Sequence, residues 1–304
     1  NDNFVLRPNG TKVTTFVLDN NPENVPEIGA QANSLGWYYS ELNTDQEHPG
    51  NSYQDKTNRP YSRTIYSTLD PGTVLKTIGG NQMNGEWKNS YVFSMPAGQE
   101  LSSSVAFNDP NYNNYKIIKT VSRDVHGIEN VVFTDTDGNT LATARSGNEE
   151  GTATSRTSTV TIPEQKYIDI HIPVGDHGIT VRNDNFGTLT NNHRFEVYDL
   201  VTEQPVTTQF ENFPNGFYRI AFVGGGNPII TVEYPENYYD YSLNEYDKAG
   251  RLQNAKQPLN HLQSTFAYNS LGQLENTTSP DEGDARFTYR RDGQIRFSQN
   301  SKQE

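Results

Sequence analysis

The sequence predicts an all-β protein: a ribbon of stacked antiparallel β-hairpins with a small β-sandwich inserted into it. One short phrase occurs three times near the C-terminal end, about 21–22 residues apart, at residues 246–252, 268–274 and 289–295. Many of the 18 Tyr and 14 Phe residues alternate with polar residues at strand spacing, whereas no segment sustains an apolar stripe of helical period. A fixed period of this kind indicates a repeat architecture, in which each unit packs against its neighbours.

Each copy of the phrase has the pattern of one β-hairpin. Phe266 and Tyr268 alternate with polar positions, which is the period of a half-buried strand. Polar residues that favour turns follow each tyrosine, and a glycine then supplies the positive φ that the turn requires. An apolar residue stands two positions after that glycine. The glycines are Gly250, Gly272 and Gly293, and the apolar residues are Leu252, Leu274 and Ile295.

The N-terminal section, residues 1–115, is predicted to be a β-rich part of the same ribbon. An apolar-alternating run at residues 13–18 favours a strand, and residues 35–97 have the composition of short strands separated by turns. Residues 98–115 are polar and predict a loop. The turn signals lie at residues 58–60, 70–72 and 79–80.

Residues 116–160 are predicted to hold degenerate repeat hairpins and a linker. Asp124 and Asp135 each stand three residues before a glycine, as the aspartate of the first repeat does. We therefore expect a hairpin pair over residues 116–145 that belongs to the same ribbon. Residues 146–160 are rich in Gly, Ser, Thr and charge, which is typical of a linker.

Residues 161–235 have a different rhythm, which predicts a small β-sandwich inserted between the repeat blocks. Residues 213–218 resemble the corner of immunoglobulin-like domains, where a tyrosine hydroxyl donates to the backbone a few residues upstream. An ordinary turn followed by a strand is the alternative. The alternating runs are residues 167–172, 195–198 and 218–222.

Residues 236–304 are predicted to be the repeat hairpins themselves. The chain stops just after the third hairpin, which would leave a sheet edge open. It also begins without Met or a signal peptide, so we expect it to be a piece of a longer polypeptide that is truncated at its C-terminal end.

The repeat resembles that of the Rhs/YD-repeat family. Residues 246–252 carry the family's Tyr-Asp-x-x-Gly-Arg-Leu phrase, and the other two copies keep its aromatic, glycine and Leu or Ile positions. The Asp is replaced by Asn269 or Arg290, and the Arg by Gln273 or Gln294. Further segments resemble large Rhs-type surface proteins of Bacteroidetes, namely residues 35–39, 78–81, 85–87 and 232–252.

The resemblance implies a structural role. Rhs-type ribbons spiral into a hollow β-shell, which commonly encloses a C-terminal toxin or effector until delivery. The chain is then expected to be a wall section, whose partners are the remainder of the same polypeptide and its cargo, together with secretion or cell-surface proteins. The resemblance also implies an extracellular or surface-attached product of a Gram-negative bacterium, exported by type IX secretion. The alternative left open is an extracellular adhesin or carbohydrate-binding protein that uses the ribbon as a stalk.

Composition and charge argue against several other classes of function. The net charge is −13 and no basic stripe offsets it, which argues against nucleic-acid binding. The chain has no cysteine, which excludes a disulfide framework and thiolate metal sites. No apolar run is long enough to form a transmembrane segment.

The sequence predicts no catalytic, cofactor or metal site, so an enzyme is not expected. Residues 135–139 have the acidic look of a calcium loop but lack its later bidentate carboxylate, which favours a hairpin turn. His171 lies in an alternating strand, where a solvent-facing or hydrogen-bonded role is expected, and His177 lies in a turn. No Gly-x-Ser-x-Gly elbow or phosphate loop is present. Four aromatic residues could form a sugar-stacking surface, although a core role is favoured: Trp37, Tyr38, Tyr39 and Trp87.

Overall fold

The computed structural model describes two compact units, which are treated separately below. The first comprises Asn1–Val92 with Asp124–His126, and the second comprises Phe93–Arg123 with Gly127–Glu304. For residues 4–6, 12–14, 80–83, 86–88, 103 and 156–160 the backbone alone is described. The described residues are 4–6, 12–14, 39–40, 42, 57–59, 61–67, 72–83, 86–103, 116–147, 156–162, 166–183, 187–189, 194–226, 228–257 and 262–303.

The first unit contains three antiparallel strand pairings. Strands β1 and β2 pair with each other, and β3, β4 and β5 form successive antiparallel hairpins. The remainder of the strand predicted at residues 13–18, beyond Thr14, lies outside the described residues. The strands are β1 (Phe4–Leu6), β2 (Lys12–Thr14), β3 (Arg63–Tyr66), β4 (Val74–Met83) and β5 (Glu86–Pro96), the last of which continues into the second unit.

The second unit is almost entirely β-structure, so the prediction of an all-β fold is confirmed. It has one short helix, α1 (Gly98–Ser103), and one 3-10 turn at Phe210–Asn212 among its described residues. Its strands are β6 (Ile117–Arg123), β7 (Ile128–Asp135), β8 (Thr140–Gly147), β9 (Arg156–Thr161), β10 (Tyr167–Ile172), β11 (Thr180–Asn183), β12 (Gly187–Leu189), β13 (Phe195–Asp199), β14 (Gln204–Pro205), β15 (Gly216–Phe222), β16 (Ile230–Glu236), β17 (Tyr239–Tyr246), β18 (Leu252–Lys256), β19 (Gln263–Tyr268), β20 (Leu274–Ser279), β21 (Gly283–Tyr289) and β22 (Ile295–Asn300).

A long antiparallel sheet forms the ribbon of the second unit. Its strand order is β22-β21-β20-β19-β18-β17-β8-β7-β6, and every neighbouring pair is antiparallel. The hairpins predicted at the three repeat copies and the hairpin pair predicted over residues 116–145 are therefore confirmed. Strand β8 lies directly beside β17, where the side chains of Thr143 and Ser242 are hydrogen-bonded at 2.6 Å between their hydroxyl oxygens.

The segment between β8 and β17 folds into two four-stranded sheets. Their orders are β10-β15-β13-β14 and β12-β11-β16-β9. The insertion therefore leaves the pairing of the ribbon on either side of it intact. The predicted tyrosine bond is present, since the Tyr218 hydroxyl donates to the carbonyl of Pro214 at 3.0 Å. Assignment of these two sheets to the immunoglobulin-like class stays a prediction.

Two apolar cores stabilise the second unit. One fills the space between the two inserted sheets and includes Ile170, Val181, Ile220 and Val232, none of which is exposed by more than 1%. The other contains residues of β6, β7, β8 and α1 together with Leu200 and Phe217 of the insertion. The second core therefore packs the insertion against the β6–β8 part of the ribbon.

Three local predictions differ from the structure. The turn predicted at residues 79–80 is wrong, because both glycines lie within β4 and are accommodated there by a register shift between Ile78 and Gln82. The polar stretch at residues 98–115 predicts a loop, whereas 98–103 form α1, because Glu100 and Leu101 are buried in the tertiary structure. The composition of residues 146–160 predicts a linker, whereas β8 extends to Gly147 and β9 begins at Arg156. Pairing of β9 with β16 supplies the backbone hydrogen bonds that composition alone did not reveal.

Candidate functional site: the tyrosine ladder and the ionic seam

The repeat turns share one backbone geometry. In the first, the Asp247 amide donates to the Arg251 carbonyl at 2.9 Å and the Gly250 amide donates to the Asp247 carbonyl at 3.0 Å. With Gly250 at φ +76°, this is a type I turn followed by a glycine bulge, and the bulge shifts the register beside Tyr246. The same two backbone bonds occur at residues 135–139, 269–273 and 290–294.

An acidic or amide side chain caps most of these turns. Oδ1 of Asp247 accepts from the amides of Ala249 and Arg251, and its Oδ2 accepts from Nε of Arg251. Those backbone and side-chain hydrogen bonds from Arg251 lower the pKa of the Asp247 carboxyl. Asn269 caps the second turn with its own Oδ1 in the same way, so the change from Asp to Asn preserves the turn.

The turn at residues 135–139 is a further member of this set. Oδ1 of Asp135 accepts from the amides of Asp137 and Asn139, and its Oδ2 accepts from Nδ2 of Asn139. Gly138 has φ +86°. The hairpin-turn interpretation of this segment is therefore confirmed, and the Asp135 carboxylate is engaged in capping its own turn.

A tyrosine hydroxyl joins each repeat to the repeat before it. The acceptor is always the carbonyl of the residue two positions after the glycine of the preceding turn, and this applies also to the degenerate turn at residues 135–139. We call these three bonds the tyrosine ladder. They run from Tyr246 to Thr140 at 3.0 Å, from Tyr268 to Leu252 at 3.0 Å and from Tyr289 to Leu274 at 2.7 Å.

The turns of neighbouring repeats also touch each other along the same edge of the sheet. The guanidinium of Arg251 lies 4.9 Å from the ring centroid of Tyr268 in the next repeat, within cation–π range. A Cβ added to Gly272 would lie 3.4 Å from Nη1 of Arg251, and one added to Gly293 would lie 3.7 Å from Nε2 of Gln273. Gly250, Gly272 and Gly293 therefore lie at turns on one edge of the sheet.

The repeat hairpins form a single layer. Between residues 240 and 303, as far as the structure describes them, no side chain is fully buried. Of these described residues, only Tyr241, Leu243 and Tyr246 of β17 pack against the second core. The stability of the hairpins beyond β17 therefore depends on cross-strand pairs, capped turns and the tyrosine ladder.

The first unit contains a related hairpin that the fixed spacing of the repeat did not reveal. In β3–β4, Tyr66 pairs with Val74 across a register shift, as Tyr246 pairs with Leu252. In the sequence the glycine follows the tyrosine by six positions instead of four, and Gly72 lies two positions before Val74 with φ +102°. A search pattern of tyrosine, a spacer of variable length, glycine, any residue and an apolar residue would have identified this hairpin as a relative of the repeat.

A buried ionic cluster lies where the inserted sheets pack on the ribbon. It consists of Arg123, Glu129, Ser146 and His171, and we call it the ionic seam. Oε1 of Glu129 accepts from Nε and Nη2 of Arg123 at 2.9 and 2.6 Å, and Oε2 accepts from Ser146 at 2.7 Å. His171, in the insertion, lies with Nε2 at 3.0 Å from Oε2. The Glu129 and His171 side chains are both fully buried.

The electrostatics of the ionic seam favour an ionised Glu129 and a neutral His171. Burial alone would raise the pKa of the Glu129 carboxyl, but His171, Arg123 and Ser146 outweigh it and lower that pKa to about 2. Burial lowers the pKa of His171, and Lys119 acts in the same direction against the attraction of Glu129. A neutral ring that donates from Nε2 leaves Nδ1 as an acceptor, and this buried atom has no hydrogen-bond partner. Protonation would turn Nδ1 into a buried unpaired donor.

A second buried cluster surrounds the carboxylate of Glu100 on α1. Nζ of Lys119 lies 2.7 and 3.0 Å from its two oxygens, and the hydroxyls of Tyr234 and Tyr238 both donate to it. Burial raises the pKa of Glu100, but these partners reverse the effect and leave it lowered. Tyr234 belongs to the inserted sheets and Lys119 to the ribbon, so this cluster too connects the two.

The histidine predictions have mixed outcomes. His171 is hydrogen-bonded and buried, so the hydrogen-bonded alternative is confirmed and the solvent-facing one is wrong, because Phe217 stacks on its ring at 5.0 Å between centroids. His177 is exposed and follows a turn closed by the Asp176 amide on the Pro173 carbonyl. Within the described residues, no group of three or more His, Asp or Glu side chains is placed to hold a metal ion. In the same residues, no helix is long and apolar enough to cross a membrane.

The aromatic residues predicted to form either a sugar-stacking surface or a core lie largely outside the described part of the chain. Trp37 and Tyr38 are outside it, and so is the side chain of Trp87 in β5. Tyr39 is described and is half-buried.

Comparison with protein-family models finds no match to this chain, and comparison with curated proteins finds none either.

Proposed function

We propose that this chain is a structural section of an Rhs-type β-shell wall, which encloses or displays a C-terminal effector of a secreted or surface protein. The observation that carries the proposal is the tyrosine ladder, in which three successive bonds join repeat to repeat at the same position. A joint of this kind can be extended indefinitely, as a wall requires, and the single-layer sheet has the form of a wall.

The two buried clusters support a second part of the proposal, which is that the insertion is a fixed buttress on the wall. Glu129 of the ribbon is hydrogen-bonded to His171 of the insertion. Lys119 of the ribbon and Tyr234 of the insertion both bind the carboxylate of Glu100. Removing one partner of a buried ion pair typically costs about 3–5 kcal/mol. The seam therefore resists separation of the inserted sheets from the ribbon.

The test uses the complete polypeptide that contains this chain, with a protease-cleavable tag at its C-terminal end. The proposal predicts a hollow particle by electron microscopy and a tag that is cleaved only after denaturation. A variant carrying Tyr246→Phe, Tyr268→Phe and Tyr289→Phe should lose part of that protection, whereas Tyr198→Phe, on the outside of the insertion, should not. An elongated particle whose tag is cleaved as fast as a free peptide would contradict the proposal, and glycan binding by that particle would support the adhesin alternative instead.

A further inference from the structure

The contact between the inserted sheets and strands β6–β8 is separate from the contacts that hold each of these parts together. The inserted sheets have an apolar core of their own, which includes Ile220. Strands β6, β7 and β8 are held by antiparallel pairing with each other and with β17. The insertion contributes Leu200 and Phe217 to the second core and His171 to the ionic seam. The interface can therefore open locally without loss of the insertion's own core or of the ribbon's pairing.

His171 lies at this interface and is shielded from water. Its side chain has no exposed surface, and its Nε2 lies 3.0 Å from Oε2 of Glu129. The ring stacks on Phe217, which in turn packs against Phe93 of β5 at 5.0 Å between ring centroids. Among the described residues, no group is hydrogen-bonded to Nδ1 of His171. A second proton on the imidazole would have to sit on Nδ1, where it has no acceptor while the interface is closed.

Two cations and two carboxylates already face His171 from the ribbon and from α1. Arg123 and Lys119 lie on β6, Glu129 lies on β7, and Glu100 lies on α1. Nη2 of Arg123 is 2.6 Å from Oε1 of Glu129, and Nζ of Lys119 is 2.7 Å from Oε1 of Glu100. With a neutral imidazole these four charges sum to zero. Protonation of His171 would leave one uncompensated positive charge in a buried site, which is unfavourable.

The remaining neighbours do not receive that proton. Ser146 on β8 donates its hydroxyl to Oε2 of Glu129 at 2.7 Å. Burial raises the pKa of Asp176, in the turn after β10, and the charge of Glu129 acts in the same direction against that of His177. The buried Oδ2 of Asp176 has no hydrogen-bond partner within the described residues, so it does not accept from Nδ1. Proton uptake on Nδ1 therefore opposes the closed interface.

We propose that the ionic seam is a pH-sensitive switch, in which uptake of a proton on Nδ1 of His171 releases the inserted sheets from β6–β8 while both parts stay folded. The step moves one proton from solvent to the imidazole and breaks no covalent bond. At neutral pH the interface is closed, which is the state in which the insertion acts as a buttress. The switch is a property of the seam and does not depend on whether the ribbon is a shell wall.

Proton linkage sets the direction and the size of the effect. Burial lowers the pKa of His171 below 6.5 in the closed state, whereas a ring solvated by water in the open state has a pKa of about 6.5. The open state binds the proton more tightly, so its population rises as the pH falls through that value. For one such proton the open population should increase by up to about 25-fold between pH 7 and pH 5. The Glu129 carboxyl, whose pKa is lowered from 4.5 to about 2 in the closed state, extends the effect to lower pH.

Single introduced thiols report where the chain opens, because the sequence contains no cysteine. Leu200→Cys places a thiol in the interface, and Ile220→Cys places one in the insertion's own core; both leucine and isoleucine side chains are buried. Each variant is labelled with dithiodipyridine at pH 7 and at pH 5, and each rate is divided by the rate of the urea-denatured chain at the same pH. The thiol of the Leu200→Cys variant should react about tenfold to 25-fold faster at pH 5, whereas that of the Ile220→Cys variant should not change.

Two histidine variants, each made in the Leu200→Cys chain, assign the response to one ring. His171→Gln keeps an N–H donor for Glu129 but takes up no proton in this range, so the difference between pH 7 and pH 5 should disappear. His177→Gln, at an exposed histidine outside the seam, should retain the difference. Equal labelling of the Leu200→Cys thiol at the two pH values, equal acceleration of the Ile220→Cys thiol, or a retained response in the His171→Gln chain would each overturn the inference.

The pH profile of the Leu200→Cys chain decides the question if the His171→Gln chain is already labelled rapidly at pH 7. The logarithm of the normalised rate should be level above about pH 7.5 and should rise by about one for each pH unit below about pH 6. A profile that stays level down to pH 5, or that begins to rise only where carboxylates titrate, would overturn the inference.

Discussion

Replacing Glu129 by glutamine tests the ionic seam, because the change keeps the shape of the side chain and removes its charge. Glu129 lies on the ribbon, and one of its partners, His171, lies on the inserted sheets. We expect Glu129→Gln to destabilise the chain strongly, since the seam is buried and both oxygens of Glu129 accept hydrogen bonds.

The magnitude follows from the donors that glutamine leaves unpaired. Four donor atoms now share two carboxylate oxygens, and the glutamine amide has only one acceptor oxygen, with an NH2 group that would face the remaining donors. The Ser146 hydroxyl can rotate to accept from this NH2 group, but Nε2 of His171 can accept only if its proton moves to the buried Nδ1, which has no partner among the described residues. An unsatisfied buried donor costs about 1–3 kcal/mol, and Arg123 also loses its charged partner, where breaking a buried ion pair costs about 3–5 kcal/mol. The side chain of Arg123 is 15% exposed, so water relieves part of its loss. We therefore expect a loss of about 3–4 kcal/mol in the free energy of unfolding.

The assay is urea denaturation followed by tyrosine fluorescence, with Glu245→Gln as the matched control. Glu245 also accepts from an amide and a lysine, Asn254 and Lys256, but its side chain is 41% exposed. Exposed ion pairs contribute about 0–1 kcal/mol, so the control should lie close to the unchanged protein. If the two variants unfold within about 1 kcal/mol of each other, the seam does not hold the insertion on the ribbon.

Two further predictions concern acidity and the turns. The folded pKa of His171 is lowered below 6.5 and that of Glu129 is lowered from 4.5 to about 2, so the unfolded chain binds protons first as the pH falls. The urea midpoint should therefore fall from pH 7 to pH 5 and continue to fall through pH 3. In the His171→Gln variant the fall between pH 7 and pH 5 should be smaller. A variant whose pH profile matches that of the unchanged chain would refute this reasoning. Gly250→Ala should cost about 1 kcal/mol, because an alanine at φ +76° is strained even though its Cβ meets no atom within 4 Å. Gly225→Ala, which is also unobstructed but lies outside the left-handed region, should cost nothing measurable in the same urea titration.

The hairpin ribbon could be predicted because its signal is local and periodic. Tyrosine, a turn former, glycine and an apolar residue at fixed spacing specify a strand, a turn and a return strand without knowledge of the rest of the chain. The turn at residues 135–139 was found for the same reason, since Asp135 and Gly138 keep the spacing. The strands on either side of residues 70–72 were predicted, but the relation of the β3–β4 hairpin to the repeat was missed, because the longer spacing between Tyr66 and Gly72 breaks the fixed period.

The two buried clusters could not be predicted because each joins residues that are far apart in sequence. Glu129 and His171 are separated by 42 residues and Glu100 and Tyr234 by 134, and no periodicity relates them. His171 occupies an alternating strand, where alternation identifies the two faces but not which neighbour covers each. The short helix α1 was missed for a related reason: its buried Glu100 has the polarity of a loop residue, and only the buried Lys119 beside it explains the burial.

The most direct test of the tyrosine ladder is to remove its three hydroxyls one at a time. Tyr246→Phe, Tyr268→Phe and Tyr289→Phe each delete one bond to the preceding repeat and leave the ring in place. The ladder predicts that each variant loses about 0.5–1.5 kcal/mol in urea denaturation, with amide exchange accelerated in the strands on both sides of the affected joint. Tyr198→Phe, whose hydroxyl donates to the exposed Glu196, should show neither effect. If the three ladder variants match Tyr198→Phe in stability and exchange, the repeats are not joined by their tyrosines and the central claim is wrong.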